Sequence, residues 1–299
     1  MRSVYNIGAI REKNISCKAG TLLLLAIVMS STSNNNGSPR VLTALVTGST
    51  RPHGIGFGIA RSLAKNSGIN IILHGTRNAT TEEVEKCRSD LAKEHNISVD
   101  YIQADLSSVS DTQKLCHQID ELYPDGIDIL VNNAGMTHYT LVDDIPLKVW
   151  EDLQTSNLTS PFMLIKHFIP RMKKRGWGRI INISSGLGIR AGKLSSAYCS
   201  SKHGLNGLTK AVGLEAADTG VTCNAICPGF VETDMYRNIT EGFMKAKEVS
   251  KETAEATLTN PSKKLVSTEQ IGDLVSFLCS PAADSMTTAE LCIDGGLSA

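Results

Sequence analysis

A tyrosine and a lysine four residues apart, Tyr198 and Lys202, are well suited to proton chemistry. On a helix, residues at this spacing lie on one face, about one turn apart, so the phenol and the ammonium would be neighbours. A free tyrosine has a pKa of about 10, and a nearby cation favours the phenolate, which brings the phenol toward use as a general acid or base. The alternative is an ordinary amphipathic pair, because two common residues recur at this spacing by chance.

A hydroxyl lies thirteen residues upstream of the tyrosine, at Ser185. The apolar run that precedes it, residues 179–184, is typical of a buried strand. Ser185 would therefore stand at the carboxyl end of a strand and face the helix that carries Tyr198. In that position its hydroxyl could hold a substrate oxygen while the phenol moves its proton.

From Val41 onward, short apolar runs alternate with helical patterns. The predicted strands are residues 41–46, 69–73, 99–103, 127–131, 180–183 and 221–226. The two longest predicted helices cover residues 157–174 and 196–217. Strands separated by helical segments of this length indicate βαβ units. The predicted fold is α/β, a single Rossmann-type doubly wound parallel sheet with helices on both faces.

A glycine-rich turn, Gly48 followed by Gly54-Ile55-Gly56, lies between the first predicted strand and a helix predicted to begin near Ile59. Glycines there let the backbone approach a pyrophosphate at the helix N-terminus, where free amides and the helix dipole favour an anion. A glycine-rich turn alone is weak evidence. A strand before it and a helix after it are the context that indicates dinucleotide binding.

The end of the second predicted strand bears on the choice between NAD and NADP. An acidic residue there would bind the ribose hydroxyls, and a basic one would accept a 2′-phosphate. The sequence has no acid at this point and continues through Thr76 to Arg77. Arg77 and Arg51 can pair with a phosphate, but both can equally be solvated loop arginines.

From Val41 to Ala299 the chain resembles the short-chain dehydrogenase/reductase family. The matching pieces, in order, are Thr47-Gly48, Gly54-Ile55-Gly56, Asp105, Asn132-Asn133-Ala134-Gly135, Asn157, Ser185, Tyr198 with Lys202, and Pro228-Gly229. Their order and spacing make the resemblance specific. One departure is the spacing of the glycines, because the family usually has three residues between the first two glycines and this chain has five, including Arg51-Pro52-His53.

The resemblance implies a role for each matching residue. Tyr198 is the expected acid/base, Lys202 lowers its pKa and binds the nicotinamide ribose, Ser185 positions the substrate oxygen, and Asn157 holds a water in a proton relay. Further cofactor contacts are expected from Asp105 at the adenine, from Asn133, Ala134 and Gly135 along the cofactor, and from Pro228, Gly229 and Thr233 against the nicotinamide. Residues 232–261 are polar with scattered apolar positions, which suits a lid over the substrate.

Within the family, the chain is most similar to the D-3-hydroxybutyrate dehydrogenases, through residues 174–183 and 220–229. Those enzymes hold the substrate carboxylate with a glutamine, a histidine and a lysine, and the aligned residues here are Thr137, Leu187 and Ser195. A small carboxylate would lose these charge-assisted anchors unless Arg190 or Lys193 replaces them.

The expected function is NAD(P)-dependent interconversion of a secondary alcohol and a ketone, such as 3-hydroxybutyrate and acetoacetate or a related 3-hydroxy acid. The resemblance carries a slight preference for NAD. Alternatives are a 3-oxoacyl reductase or another ketone reductase of the same family. A further alternative, of another class, is a dinucleotide-binding protein without turnover.

Composition sets the remaining expectations. The 299 residues carry 30 basic and 30 acidic side chains, so a nucleic-acid partner is not expected. The 8 cysteines show no CxxC pair, which indicates reduced core residues rather than a metal site. The family resemblance implies a homo-oligomer, with a tetramer expected through residues 157–174 and 196–217.

Residues 1–40 are predicted to be an N-terminal extension, and residues 41–299 the dinucleotide-binding catalytic domain. A basic, acid-poor start, an apolar run over residues 22–29 and a serine- and asparagine-rich linker make up the extension. It can be a mitochondrial presequence, a weak secretory signal or anchor, or a disordered tail. The apolar run is too short to span a bilayer. Membrane association is expected only through this N-terminal segment, if at all. The expected location is mitochondrial or cytoplasmic.

Overall fold

The computed structural model describes residues 41–65 and 69–299. The predicted extension, residues 1–40, lies outside this part of the chain. Within it the strands are β1 Leu42–Val46, β2 Ile69–Gly75, β3 Val99–Gln103, β4 Ile129–Asn132, β5 Gly178–Ile183, β6 Val221–Pro228 and β7 Glu290–Ile293. The helices are α1 Ile55–Ala64, α2 Glu82–His95, α3 Val109–Leu122, α4 Leu147–Gln154, α5 Ser160–Arg175, α6 Ser196–Glu215, α7 Asp234–Lys247, α8 Lys251–Thr257 and α9 Thr268–Leu278.

The strands form one sheet in the order β3-β2-β1-β4-β5-β6-β7. Every pairing in it is parallel. The predicted doubly wound parallel sheet is thereby confirmed. The strand order reverses between β1 and β4, where Val46 pairs with Val131. In such sheets the carboxyl ends of the strands diverge at the reversal and open a crevice for a ligand.

One hydrophobic core fills the space between the sheet and helices α3, α5 and α6. Leu45, Leu130 and Ile180, from three neighbouring strands, pack with Ile119 of α3 and Phe168 of α5. Strands buried on both faces are continuous apolar runs, which is why they are readable in the sequence. The core fixes the strands, and thereby the residues at their carboxyl ends.

Four local features differ from the sequence-based predictions. The first helix begins at Ile55 rather than Ile59. The long helix predicted from Asn157 begins at Ser160, and Asn157 lies in a π-helical turn, Thr155–Thr159. Helix α4, helix α9 and the seventh strand, β7, are not predicted. The predicted lid, residues 232–261, contains helices α7 and α8.

Among the described residues, no helix combines the length and the apolar character needed to cross a membrane.

Candidate active site

Thr47 joins the glycine-rich turn to the segment that follows β4. Its hydroxyl oxygen accepts hydrogen bonds from the backbone N–H groups of Asn133 and Ala134, each at 2.9 Å. In return, the Asn133 carboxamide donates to the carbonyl oxygens of Thr47, at 2.8 Å, and Gly48, at 3.1 Å. These four bonds hold the two sides of the crevice together at the point where the strand order reverses.

Glycine is required at two positions of the turn. Gly48 has φ +64°, a left-handed conformation that other residues rarely adopt. A Cβ at Gly56 would lie 2.4 Å from the Gly48 carbonyl oxygen, so helix α1 can begin this close to β1 only with glycine there. The inserted residues form an exposed turn, in which Gly54 N–H donates to the Arg51 carbonyl oxygen at 2.8 Å.

The start of α1 suits a phosphate. Within the described residues, no side chain caps this helix at Gly54, and its first turn carries no acidic residue. The first amides of a helix have no partner inside the helix and attract an anion. The turn and the uncapped helix therefore fit the pyrophosphate of a dinucleotide, as the sequence predicts for Gly48, Gly54, Ile55 and Gly56.

His74, near the end of β2, is a residue of this site that sequence reasoning misses. It is 2% exposed, and its Nδ1 accepts a hydrogen bond from the Gly48 N–H at 3.1 Å. Its backbone pairs with Ser49, since Ser49 N–H donates to the His74 carbonyl at 2.9 Å and His74 N–H donates to Ser49 Oγ at 3.1 Å. Burial lowers the pKa of the imidazole to about 4. A neutral histidine thus fixes the start of the glycine-rich turn.

Asp105 and Arg77 lie on the side of the crevice that is predicted to hold the adenosine. Asp105 is exposed just after β3, and its carboxylate accepts hydrogen bonds from the N–H and hydroxyl of Ser107, at 2.9 and 2.8 Å. Its predicted contact with adenine is compatible with this position and stays a prediction. Arg77 forms an ion pair with Glu83 of α2. Arg51 is exposed and makes no ion pair within the described part of the chain.

Lys202 reaches the reacting side of the crevice from α6. The side chain is 4% exposed, and its ammonium donates to the Ile183 carbonyl oxygen, at the end of β5, at 2.8 Å. Its Nζ lies 5.7 Å from the centre of the Tyr198 ring. A Cβ at Gly135 would lie 3.6 Å from the same Nζ, so the segment after β4 passes close to the cation. Burial lowers the pKa of Lys202 to about 8.

Tyr198 lies one turn before Lys202 on α6, as the spacing predicts. Burial raises the pKa of its phenol above the ordinary value, and the phenol of Tyr139 adds to the rise. The Ser185 hydroxyl lies close enough to the phenol to oppose the rise in pKa by hydrogen bonding. Ser185 Oγ also accepts from the Leu187 N–H at 3.1 Å, which orients the hydroxyl. Three of the predicted catalytic residues therefore meet at one place.

Asn157, the fourth predicted catalytic residue, is buried behind this group. Its Oδ1 accepts from the Met136 N–H at 2.8 Å, and its Nδ2 donates to the Met136 carbonyl at 2.9 Å and to Ser201 Oγ at 3.0 Å. The carboxamide therefore ties the segment after β4 to helix α6. The predicted role in a proton relay stays a prediction.

The loop after β6 is held by Asn260, another residue that the sequence does not single out. The Phe230 N–H donates to Asn260 Oδ1 at 2.8 Å, and Asn260 Nδ2 donates to the Phe230 carbonyl at 3.0 Å. A Cβ at Gly229 would lie 2.4 Å from the same Oδ1, which explains the glycine after Pro228. Thr233 caps helix α7 by accepting from the Tyr236 N–H at 3.3 Å. The predicted nicotinamide loop is thus a defined structure beside the catalytic group.

Comparison with known proteins decides the family. The profile of the family described as short chain dehydrogenase matches residues 42–243. The chain belongs to that family. It is therefore an NAD(P)-dependent oxidoreductase that acts on a small-molecule substrate.

Two curated relatives and one solved structure illustrate the range of this family. A D-beta-hydroxybutyrate dehydrogenase from Rhizobium meliloti is 38% identical over 260 residues, covering 86% of this chain and 98% of the relative. A 3-oxoacyl-(acyl-carrier-protein) reductase from Aquifex aeolicus is 36% identical, covering 85% and 96%. The crystal structure of an actinorhodin polyketide ketoreductase variant with NADPH has a TM-score of 0.79 and 34% identity, covering 89% of this chain and 99% of that one.

The substrate contacts of this short-chain dehydrogenase are predicted mainly in the loop between β5 and α6. Two of the three residues aligned with the carboxylate-binding residues of hydroxybutyrate dehydrogenases make contacts within the loop itself. The Leu187 side chain packs against Gly192, where a Cβ would lie 3.0 Å from it, and the buried Ser195 donates to the Lys193 carbonyl at 3.1 Å. The third, Thr137, is half-buried in the segment after β4.

The two cations of this loop remain on the surface. Arg190 and Lys193 are both exposed. The predicted contact of Arg190 with a substrate carboxylate stays a prediction.

Large apolar side chains of the dehydrogenase are exposed on three segments next to the candidate catalytic residues. They come from the segment after β4, from the loop before α6 and from the start of α7: Met136, Tyr139, Leu141, Val142, Leu194 and Met235. The backbone joins two of these segments, because Thr140 N–H donates to the Leu194 carbonyl at 2.9 Å. We call this set the apolar rim.

Proposed function

We propose that this enzyme interconverts a secondary alcohol and a ketone, with Tyr198 as general acid and base. The observation that carries the proposal is the position of the Lys202 ammonium, 5.7 Å from the centre of the Tyr198 ring, with the Ser185 hydroxyl within hydrogen-bonding reach of the same phenol. When bound, the dinucleotide would accept or donate the hydride.

Each residue of the group has one task in this proposal. In the reducing direction, the Tyr198 phenol donates its proton to the substrate oxygen as negative charge develops there. The Lys202 ammonium stabilises the phenolate that remains, and the Ser185 hydroxyl donates a hydrogen bond that holds the substrate oxygen. In the oxidising direction, the phenolate of Tyr198 accepts the proton of the alcohol. Asn157 keeps the segment at Met136 in register with α6.

For the substrate, we propose a 3-hydroxy acid or its 3-oxo counterpart, such as 3-hydroxybutyrate and acetoacetate. The relative from Rhizobium meliloti supports this choice, and the exposed Arg190 is the first candidate to hold the carboxylate, because a guanidinium matches a planar carboxylate with two hydrogen bonds. A 3-oxoacyl reductase is the second candidate. It is favoured by the use of Leu187 and Ser195 inside the loop, which leaves fewer groups for a small anion.

For the cofactor, we propose NAD. A 2′-phosphate needs a free cation beside the adenosine ribose, and the Arg77 guanidinium is already paired with Glu83. The exposed Arg51 is the residue that would allow use of NADP as well.

For the assembly, we propose a homotetramer. The helices expected to form its interfaces, α5 and α6, each expose a large apolar side chain, Phe162 and Leu214.

Substitution of Tyr198 tests the proposed reaction. Tyr198→Phe removes the hydroxyl with little change of shape. Turnover should fall by a factor of about 1,000 or more, because the variant loses both the proton donor and a hydrogen bond to the substrate oxygen. Dinucleotide binding, followed by fluorescence titration, should persist. Ser200→Ala, at an exposed position two residues further along α6, is the control for helix disturbance. Normal turnover in the Tyr198→Phe enzyme would refute the proposed mechanism.

A further inference from the structure

Leu194 has an unusual backbone for its residue type. Its φ is +63°, in the left-handed region, where a leucine is disfavoured because its Cβ crowds the backbone. Asparagine and glycine are the residues that adopt this conformation readily. Strained positions of this kind persist where the surrounding structure holds them, and they cluster at functional sites.

Leu194 is held in place from both sides. Its carbonyl oxygen accepts from the Thr140 N–H at 2.9 Å, which ties it to the segment after β4. The next residue, Ser195, is buried, and its carbonyl oxygen accepts from the Cys199 N–H at 2.7 Å in the first turn of α6. The leucine is therefore fixed between the helix that carries Tyr198 and the segment that faces it.

The side chain held in this way does not fill the core. Leu194 is 49% exposed, in the loop between β5 and the helix that carries Tyr198. Burial of the side chain in the core would offset the backbone strain at Leu194. Because the side chain is half exposed, burial offsets little of that strain in the free protein. An apolar ligand that covers it would remove that surface from water.

Tyr139 lies on the segment after β4, which is bonded to the loop that contains Leu194. Its phenol is near enough to Tyr198 to raise the pKa of the catalytic phenol, and its neighbour Thr140 is the residue bonded to Leu194. Met136 and Leu141, on the same segment, are also exposed. Residues 136–142 carry no lysine, arginine or carboxylate. The side chains that this segment exposes, Met136, Tyr139, Leu141 and Val142, are therefore apolar or aromatic, whereas His138 is half-buried.

We propose that Leu194 and Tyr139 form a binding wall for the apolar body of the substrate. The preferred substrate is then a 3-hydroxy or 3-oxo acyl compound whose chain is longer than that of hydroxybutyrate. This inference rests on the proposed function and adds the size and polarity of the substrate. Leu194 is a specificity-determining residue, since it contacts the chain of the substrate and not its reacting carbon.

A series of substrates that differ only in chain length gives the first test. Each methylene group that is removed from water on binding to this wall should raise kcat/KM by up to about fourfold. The series runs from 3-hydroxybutyrate to 3-hydroxydecanoate, and cofactor reduction is followed by absorbance. A wild-type enzyme whose kcat/KM is flat or falls with chain length would overturn the proposal.

The second test replaces the strained leucine. Leu194→Asn removes the apolar side chain but keeps a residue that accepts a left-handed backbone, so its melting temperature should equal or exceed that of the wild type. We expect kcat/KM for 3-hydroxyoctanoate to fall at least about tenfold more than kcat/KM for 3-hydroxybutyrate, from the loss of two or more methylene contacts. A melting temperature that falls, with both substrates affected equally, would show that Leu194 only supports the loop.

Two controls separate the possible failures. Leu122→Asn replaces a leucine that is 56% exposed at the end of α3 and is not part of the apolar rim, so it should leave the ratio of the two substrates unchanged. Tyr198→Phe reports on the reaction itself. If no member of the series is oxidised by the wild type, the proposed function fails and this inference fails with it. If the short and long substrates are oxidised equally well, only the inference fails.

Discussion

The Nζ of Lys202 lies 5.7 Å from the centre of the Tyr198 ring and donates to the Ile183 carbonyl oxygen at 2.8 Å. The lysine is thus held by the end of β5 near a phenol of its own helix. Its pKa of about 8, lowered by burial, means that it carries a charge below that pH and loses it above. If Lys202 stabilises the Tyr198 phenolate as we propose, that cation is available only on the acidic side of pH 8.

This titration predicts the pH profile of reduction. The value of kcat/KM, which reports on the free enzyme, should fall as the pH rises through about 8. Lys202→Arg should shift that fall to higher pH, because a guanidinium stays protonated. Lys202→Ala should remove the fall and lower kcat/KM at every pH. A wild-type profile that is flat from pH 7 to about 9.5, where an unperturbed lysine would still be charged, would contradict the assignment.

His74 makes a prediction about stability. Its pKa is about 4 in the folded protein, against an ordinary value of 6.5, so the unfolded chain binds the extra proton first as the pH falls. The free energy of unfolding should therefore be highest above pH 6.5 and decrease between pH 6.5 and 4, by up to about 3 kcal/mol from this group. Urea unfolding across this range measures it. His74→Asn, which keeps an acceptor for the Gly48 N–H but does not titrate, should flatten that part of the curve.

The same residue should affect cofactor binding. His74→Leu leaves the Gly48 N–H without its acceptor, so the dissociation constant of the dinucleotide should rise about five- to tenfold, the effect of one hydrogen bond. His74→Asn should restore most of the loss. Equal affinity in the leucine and asparagine variants would show that the imidazole does not position the turn.

Arg190 is the residue to change for the substrate carboxylate. A charge-assisted hydrogen bond contributes about 1.5–3 kcal/mol, so Arg190→Ala should raise KM for 3-hydroxybutyrate about tenfold or more. Its effect on a neutral alcohol should be small. Lys193→Ala, at the other exposed cation of the loop, is the matched control. If both substrates lose activity equally, Arg190 only supports the loop.

Cofactor preference can be tested by freeing Arg77. Glu83→Gln removes the carboxylate that pairs with the guanidinium, so kcat/KM with NADPH should rise relative to NADH. Glu82→Gln changes the neighbouring exposed acid without touching that pair. Arg51→Ala should lower whatever NADPH activity the wild type has. An unchanged ratio in the Glu83→Gln enzyme would mean that Arg77 does not reach the 2′-phosphate.

The proposed tetramer is tested by placing a charge on its expected interfaces. Phe162→Glu on α5 and Leu214→Glu on α6 put a carboxylate on faces that an assembly would bury, and an unpaired buried charge is costly. Light scattering at micromolar concentration should give a tetramer for the wild type and smaller species for the variants. A wild-type monomer would refute the prediction.

The fold and the grouping of Tyr198, Lys202 and Ser185 can be predicted from the sequence because both leave local signals. The inner strands are continuous apolar runs, and the Tyr198–Lys202 spacing is one helical turn. Strand β7 gives a weak signal, since it has only four residues and is partly exposed at the edge of the sheet.

The contacts that shape the site are long-range and have no local signal. Thr47 bonds to Ala134, 87 positions away, and Gly48 to His74, 26 positions away. The strain at Leu194 is equally invisible, because a leucine in a loop gives no indication of its φ value. These features depend on the folded arrangement of distant segments, and the sequence around each residue does not indicate them.

The strand order reverses between β1 and β4, next to Thr47, and this reversal divides the mutations that could change cofactor choice from those that could change substrate choice. We expect residues after β2 and β3 to contact the adenosine and residues after β5 to contact the substrate, and four hydrogen bonds of Thr47 and Asn133 link the strands between them. On that expectation, mutations that alter which dinucleotide is used can accumulate on one side without disturbing the other. An engineer can treat cofactor choice and substrate choice as two modules, provided that Thr47 and Asn133 are left untouched.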